Sequence, residues 1–171
     1  KDVNACFDNI RDFVSNIPKE AYSKAEMKQA RGLLEFAIRL QAASDVVASH
    51  ICELASEAQS ENSVFSQDGL AELTHLHERI ASNLDLVNSV LISDDLESAR
   101  LLSLEKSEIK RLKRKSRKRH LKRLHDGLVE SILSSNAHLE LLRAFREFNS
   151  HICAVAYPIL HKHGQLLETR L

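Results

Sequence analysis

Glycine and proline are almost missing from this chain. Its 171 residues include four glycines and two prolines, where average usage would give about 12 and about 9. So few turn-formers cannot close the many hairpins of an all-β fold, and a βαβ sheet with its frequent loops is equally poorly served. Leucine, alanine, serine, glutamate and the basic residues fill the gaps, and all but serine are strong helix formers. Aromatics make up 5% and tryptophan is absent, so the core has to be aliphatic. The expected fold class is all-α, an elongated antiparallel bundle of about five long helices. Length suits one domain over residues 1–171.

The longest apolar run, Ile152–Tyr157, is far shorter than the ~20 residues that cross a bilayer. No secretory signal pattern opens the chain. It begins at Lys1 inside a helical pattern, which reads as a piece of a longer protein, itself soluble. Cys6, Cys52 and Cys153 are odd in number and lie among apolar residues, so they read as buried free thiols of a reducing compartment.

Charge balances overall at 24 basic against 24 acidic, but not along the chain. Through Ser98 there are 8 basic and 17 acidic residues, and after it 16 and 7. Between Lys106 and Arg123, 11 of 18 residues are Lys or Arg and only Glu108 is acidic. Such a block repels itself and meets something anionic.

Periodicity and punctuation mark the helices. The first runs from Val3 to Ile17 and stops at Pro18. The second opens at a Ser23–Glu26 capping box and reaches Gln59. Its seam is Leu33, Ala37, Leu40, Ser44, Val47, Ile51, Leu54 and Ala58, spaced alternately by four and three. After a polar stretch, Ser60–Asp68, the third helix carries Leu70, Leu73, His77, Ile80, Leu84, Val87 and Leu91, with His77 a hydrogen-bonded core residue. The fourth extends from Asp94 to the glycine cap at Gly127. The fifth covers Ser131–Gln165, and Pro158 should kink it by crowding the carbonyl of Ala154. A shift of 105 residues carries the second seam onto His138, Leu142, Phe145, Asn149, Ile152, Ala156, Ile159 and His163. Both seams have a polar residue at their middle, Ser44 and Asn149. This predicts two helical repeats, about 1–60 and about 66–166, the first lacking its opening helix. The groove left uncovered could pair two copies as a homodimer.

A family resemblance runs from Ala99 to Leu160. Its pieces are Ala99-x-x-Leu102-x-x-x-Lys106, His120-Leu121-x-Arg123-Leu124, Ser134-Ser135-x-x-His138-Leu139, Phe148-Asn149-Ser150-His151 and Val155-Ala156-Tyr157-Pro158-Ile159-Leu160. This series resembles the C-terminal part of the PhoU-like cytoplasmic domain of sodium-dependent phosphate cotransporter proteins. Leu40–Val47 is similar to the family's Leu-Glu-x-x-x-Asp helix, and Ser63–Gly69 to its Phe-Ser-x-x-Gly linker. The resemblance implies a bundle of two three-helix repeats at the cytoplasmic side of a membrane, partnered with a transmembrane transporter domain. The function it implies is regulatory or structural, in phosphate transport. A free-standing PhoU-like regulator of phosphate uptake is the alternative.

Three groups of side chains could carry chemistry. Gln41 and Asp45 lie one turn apart on an otherwise apolar stripe, so Asp45 should be at least half buried and in need of a partner. The resemblance implies a metal-binding Glu-x-x-x-Asp here. Gln41 replaces the Glu, and the equivalent positions Arg146 and Ser150 hold no carboxylate, so no cofactor is expected. Hydrogen bonds to the fifth helix, with Arg146 neutralising Asp45, are the ordinary reading, and a metal on Asp45 the weaker one. His75/His77 and His161/His163 point about 200° apart on a helix and cannot share one ion. His120, His138 and His151 fall on the family-like motifs. With Lys106, Arg123 and Arg143 they define a candidate anion or phosphate site, or else inter-helix hydrogen bonds.

The basic residues of the fourth helix cover all its sides, so this stretch should protrude or meet an acidic surface. Lys113, Arg114, Arg117 and Lys118 are candidate contacts to an anionic lipid surface or an acidic partner. A nucleic-acid-binding module is the least favoured reading, without stacking aromatics or helix-turn-helix punctuation, and no specific nucleic acid is expected. No Gly-rich phosphate loop, HExxH or nucleophile elbow occurs, so the chain is not expected to be an enzyme.

Overall fold

The computed structural model describes residues 2–18, 22–60 and 64–165, and these form helices and connecting turns. Ser63 and the side chain of Ala58, both used above, lie outside the described residues. Helix α1 is Asp2–Ser15. Helix α2 comprises Lys24–Asp45, a π-helical turn Val46–Ile51, and Cys52–Ser60. Helices α3 and α4 are Gln67–Ser93 and Leu96–His125. A short α5, Val129–Leu133, precedes α6, which comprises Ser135–Ile152, a 3-10 turn Cys153–Val155, and Ala156–Lys162.

The described residues thus hold six helices rather than five, because the chain breaks again just after Gly127. Gly127 takes the left-handed conformation that ends α4, at φ 75°. Five residues of α5 follow. At Ser134 the hydroxyl donates back to the carbonyl of Glu130 at 2.7 Å, competing with the regular ladder and setting off α5 from α6. The irregular turn at Cys153–Val155 lies just before Pro158, whose missing N–H leaves the carbonyl of Ala154 without its usual donor.

Helix starts follow local chemistry. At α2 the Ser23 amide donates to Glu26 Oε2 at 2.8 Å and the Glu26 amide donates to Ser23 Oγ at 3.3 Å. Between α3 and α4 only Asp94 and Asp95 intervene. Asp94 is left-handed at φ 53°, and Asp95 accepts from the amides of Glu97 and Ser98. This tight link folds α4 back along α3.

Helix α6 is central. It packs against α2, α3 and α4, while α1 packs on α2 and buries none of its residues. Leu102, Ile109, Leu142, Ile152 and Ala156 are all but completely buried where α4 and α6 meet. Each large aliphatic side chain so buried contributes about 1.5–3 kcal/mol.

Helix α6 buries six of its eight expected seam positions, with Phe145 half-buried and His163 exposed. On α3 the buried stripe is Gly69, Leu73, Leu76, Ile80, Asn83, Val87 and Val90. Leu70, Leu84 and Leu91 are exposed instead, and so is His77, which lies 6.2 Å ring to ring from Phe145. Asn83 takes a core position because its amide donates to Asn149 Oδ1 at 2.7 Å. On α2 the face is turned likewise. Phe36, Ala43 and Val46 are buried with Ala37, and Leu33 and Val47 are exposed.

Helix α4 does not protrude. Ala99, Leu102, Ile109, Ser116 and His120 form a buried stripe through the middle of the basic run, because these less charged positions recur at helical spacing. Cys153 is buried, but Cys6 and Cys52 are exposed. Both lie on helix faces that nothing among the described residues covers deeply.

Candidate functional site

One polar cluster joins the start of α3, the far half of α4, α5 and the start of α6. Ser66 caps α3, its Oγ accepting from the Gly69 amide at 3.2 Å. One turn further on, Glu72 reaches across to α4. Its carboxylate accepts a short hydrogen bond from the Ser116 hydroxyl and one from Arg123 Nη1 at 3.2 Å. Arg119 Nη1 stands 3.7 Å away. The Arg123 and Glu72 side chains are each 11% exposed. Arg123 Nε donates to Ser131 Oγ at 3.2 Å, and the Ser131 hydroxyl donates to Ser66 Oγ at 3.2 Å. The polar chain therefore returns to the α3 cap where it began.

Two histidines complete the cluster. His138 Nε2 lies 3.3 Å from Ser116 Oγ, and His120 Nε2 lies 2.9 Å from Ser135 Oγ. Since Ser116 gives its one proton to Glu72, it can only accept from His138, which places the His138 proton on Nε2. Burial pushes the His138 pKa down from 6.5 to about 4, helped by the neighbouring His120. Burial also lowers the His120 pKa, with Arg123 adding to it. At neutral pH the cluster contains one buried Arg–Glu pair, Arg123 with Glu72, the exposed Arg119 at its edge, and two uncharged imidazoles. Arg123 Nη2 is buried without a hydrogen-bond partner. It faces Gly69, where a Cβ would stand 3.5 Å from Nη2, 3.4 Å from His138 Nδ1 and 2.9 Å from Ser66 Oγ. The chemistry here is that of a self-neutralised buried network tying four helices at one end of α4.

Of the six candidate anion ligands, the structure brings together His120, Arg123 and His138. Lys106 instead hydrogen-bonds the Tyr157 hydroxyl, its ammonium 4.8 Å from that ring centre. Arg143 is exposed and paired with Glu140 at 2.9 Å. His151 is half-buried in the last turn before the 3-10 segment of α6.

Asp45 is exposed rather than half buried, since the buried face of α2 runs through Phe36, Ala43 and Val46. Gln41 donates to Asn4 Oδ1 on α1 at 3.3 Å, and Arg146 is exposed without an ion pair to Asp45. No group of three or more His, Cys, Asp or Glu side chains is placed for a metal ion among the described residues.

Arg114, Arg117 and Lys118 are exposed. Lys113 is half-buried, and its ammonium pKa is lowered by burial and by Arg146, Arg117 and Arg143.

Glu72, Ser116 and Ser131 escaped the sequence reading as site residues, while Ser66 and Gly69 were noted only within the Phe-Ser-x-x-Gly linker. The missed signal is a seven-residue step, Leu102, Ile109, Ser116, Arg123, running through the basic block. It aligns Ser116 and Arg123 with core positions.

Comparison with known proteins gives relatives of one description. The chain is 36% identical over 161 residues to the "Putative inorganic phosphate export protein YjbB" of Escherichia coli (strain K12), covering 94% of this chain and 30% of that protein. The Shigella flexneri protein of that name matches equally. The one from Salmonella typhimurium is 35% identical over 164 residues, 96% of this chain and 30% of its own. The chain spans about a third of the length of the curated relatives it matches. No family model and no solved structure matches it. None of the described helices is long and apolar enough to cross a membrane.

Proposed function

We propose that this chain is a helical regulatory domain of a phosphate-transporting membrane protein, PhoU-like in type and working at the cytoplasmic face by docking on the transmembrane part. The observation that carries this is the lopsided coverage, 94–96% of this chain against 30% of each relative. The described helices hold no membrane span, so a transport path has to be formed by other parts of such a protein. Sodium coupling is carried by the family resemblance of Ala99–Leu160.

The mechanism is one of helix-bundle contacts. The Glu72–Arg123 pair and the His120–His138 stack fix the relative positions of α3, α4 and α6. The domain thereby offers a preformed surface to its partner, and charged groups buried in that network stay unavailable to solvent ions.

The test is phosphate flux in cells expressing the full-length parent protein with or without residues 1–171. Deletion is expected to leave the protein in the membrane and to change the rate of labelled phosphate release, or its response to internal phosphate. Flux unchanged at every phosphate level would refute a regulatory role. Replacing external sodium with choline tests the sodium part separately.

A further inference from the structure

Helix α5 is inside out. Its polar Ser131 is 1% exposed and pinned by Arg123 and Ser66, whereas its aliphatic side chains face solvent, Val129 at 61%, Ile132 at 52% and Leu133 at 69%. Held by the polar cluster, α5 cannot roll to bury them. Leu128, and Leu121 on the adjoining α4, are exposed beside it, and α5 packs against α4.

The surroundings of this apolar knob are basic. Six exposed Lys or Arg side chains lie between residues 114 and 122, against Asp126 and Glu130 as the nearby acidic residues. Arg114, Lys118, Lys122 and His125 lie opposite the buried Ser116–His120–Arg123 stripe, and Leu121 is on that same outer face. Aliphatic side chains standing proud among cations match one environment in both respects, the boundary between anionic headgroups and acyl chains. A second copy fits less well, because a two-fold contact would press the basic stretch against itself.

We infer that α5 and the end of α4 form a membrane-docking edge, with Val129, Ile132 and Leu133 entering the outer acyl layer of an anionic bilayer and Arg114, Lys118 and Lys122 held at its headgroups. This goes beyond the phosphate reading and needs neither a transporter nor phosphate to operate.

The absence of tryptophan makes a direct test available. In Leu133→Trp the single indole should shift to the blue on vesicles of phosphatidylcholine mixed with phosphatidylglycerol, and be quenched by brominated acyl chains. It should not respond to phosphatidylcholine alone. Reversing Arg114, Lys118 and Lys122 to Glu should weaken vesicle partition by roughly a hundredfold, at about fivefold for each cation lost. Val129→Ser with Ile132→Ser, which leaves every charge in place, should weaken it by at least about tenfold.

No blue shift on anionic vesicles would overturn the inference. So would binding that the two serines leave intact, since that is charge alone, or a concentration-dependent shift without lipid, since a second copy would then cover the knob. Because the vesicles contain only this chain and lipid, failure here leaves the phosphate-flux experiment standing, and the reverse holds too.

Discussion

His120 and His138 stack face to face, with ring centres 4.4 Å apart and planes 8° from parallel. One ring comes from α4 and the other from α6, and both are 1% exposed. Neither can take a proton without placing a cation against the other imidazole and beside Arg123.

Stability should therefore fall as acid is added, before the carboxylates matter. The unfolded chain binds a proton at His138 near pH 6.5, while the folded chain resists until about 4. Between those values the unfolded state holds more protons, so the stabilisation is complete above pH 6.5 and is lost on going down to 4, by on the order of 3 kcal/mol. The lowered pKa of His120 acts in the same direction. Glu26 and Asp95 titrate from unfolded values of 4.5 and 3.8, so their losses set in only at the acid end of this window, below about pH 5. Urea midpoints at pH 7 and pH 5 check it, and a flat profile would contradict neutral buried histidines.

Glu72→Gln should cost about 3–5 kcal/mol, because it leaves the Arg123 guanidinium buried without its countercharge. Adding Arg123→Met should recover much of that loss, since the pair is removed together. Arg114→Gln, on the outer face of the same helix, should stay within about 0.5 kcal/mol. Equal losses in the single and double variants would mean that the pair is not coupled.

Two glycines inside helices should respond oppositely to alanine. Gly32→Ala meets nothing within 4 Å and should stabilise by about 0.5–1 kcal/mol. Gly69→Ala sets a methyl 2.9 Å from the capping Ser66 Oγ, displacing the cap and its bond to Ser131, and should lower the melting temperature despite better helix propensity. Thermal melts of the two variants decide it.

Thiol reagents should distinguish the cysteines. Cys6 and Cys52 are exposed and should be alkylated in the native protein, while Cys153 is buried with its pKa pushed up to about 12. Mass spectrometry should find two labels under native conditions and three in denaturant. A third label at the native rate would mean that α6 opens readily.

Much of the fold was legible because caps and breaks are local chemistry. The Ser23–Glu26 box, the Gly127 stop and the disturbance before Pro158 need only a few neighbouring residues to be recognised. The long seam of α6 was read from its spacing for the same reason. Which of two neighbouring stripes faces inward is a tertiary decision. Asn83 looked like a surface residue until Asn149 was opposite it, and Leu84 gave up its place in the core. Glu72 was invisible for that reason also, since its partners Ser116 and Arg123 are 44 and 51 residues away. The exposure of Asp45 follows from the turned face of α2, which periodicity alone left undecided between adjacent stripes.

The π turn of α2 covers Val46–Ile51 and the 3-10 turn of α6 covers Cys153–Val155. Moved by the same 105 residues that align the two seams, the first falls on positions 151–156 and encloses the second. One rod is overwide and its neighbour overtight at matching points. A straight helix transmits a push along its axis without loss, but a jointed one converts part of it into a change of angle. Here the π turn packs on the Ser135–Ile152 part of α6 and the 3-10 turn on the Lys24–Asp45 part of α2, so a load applied at either end of this helix pair would be taken up as bending at two staggered joints.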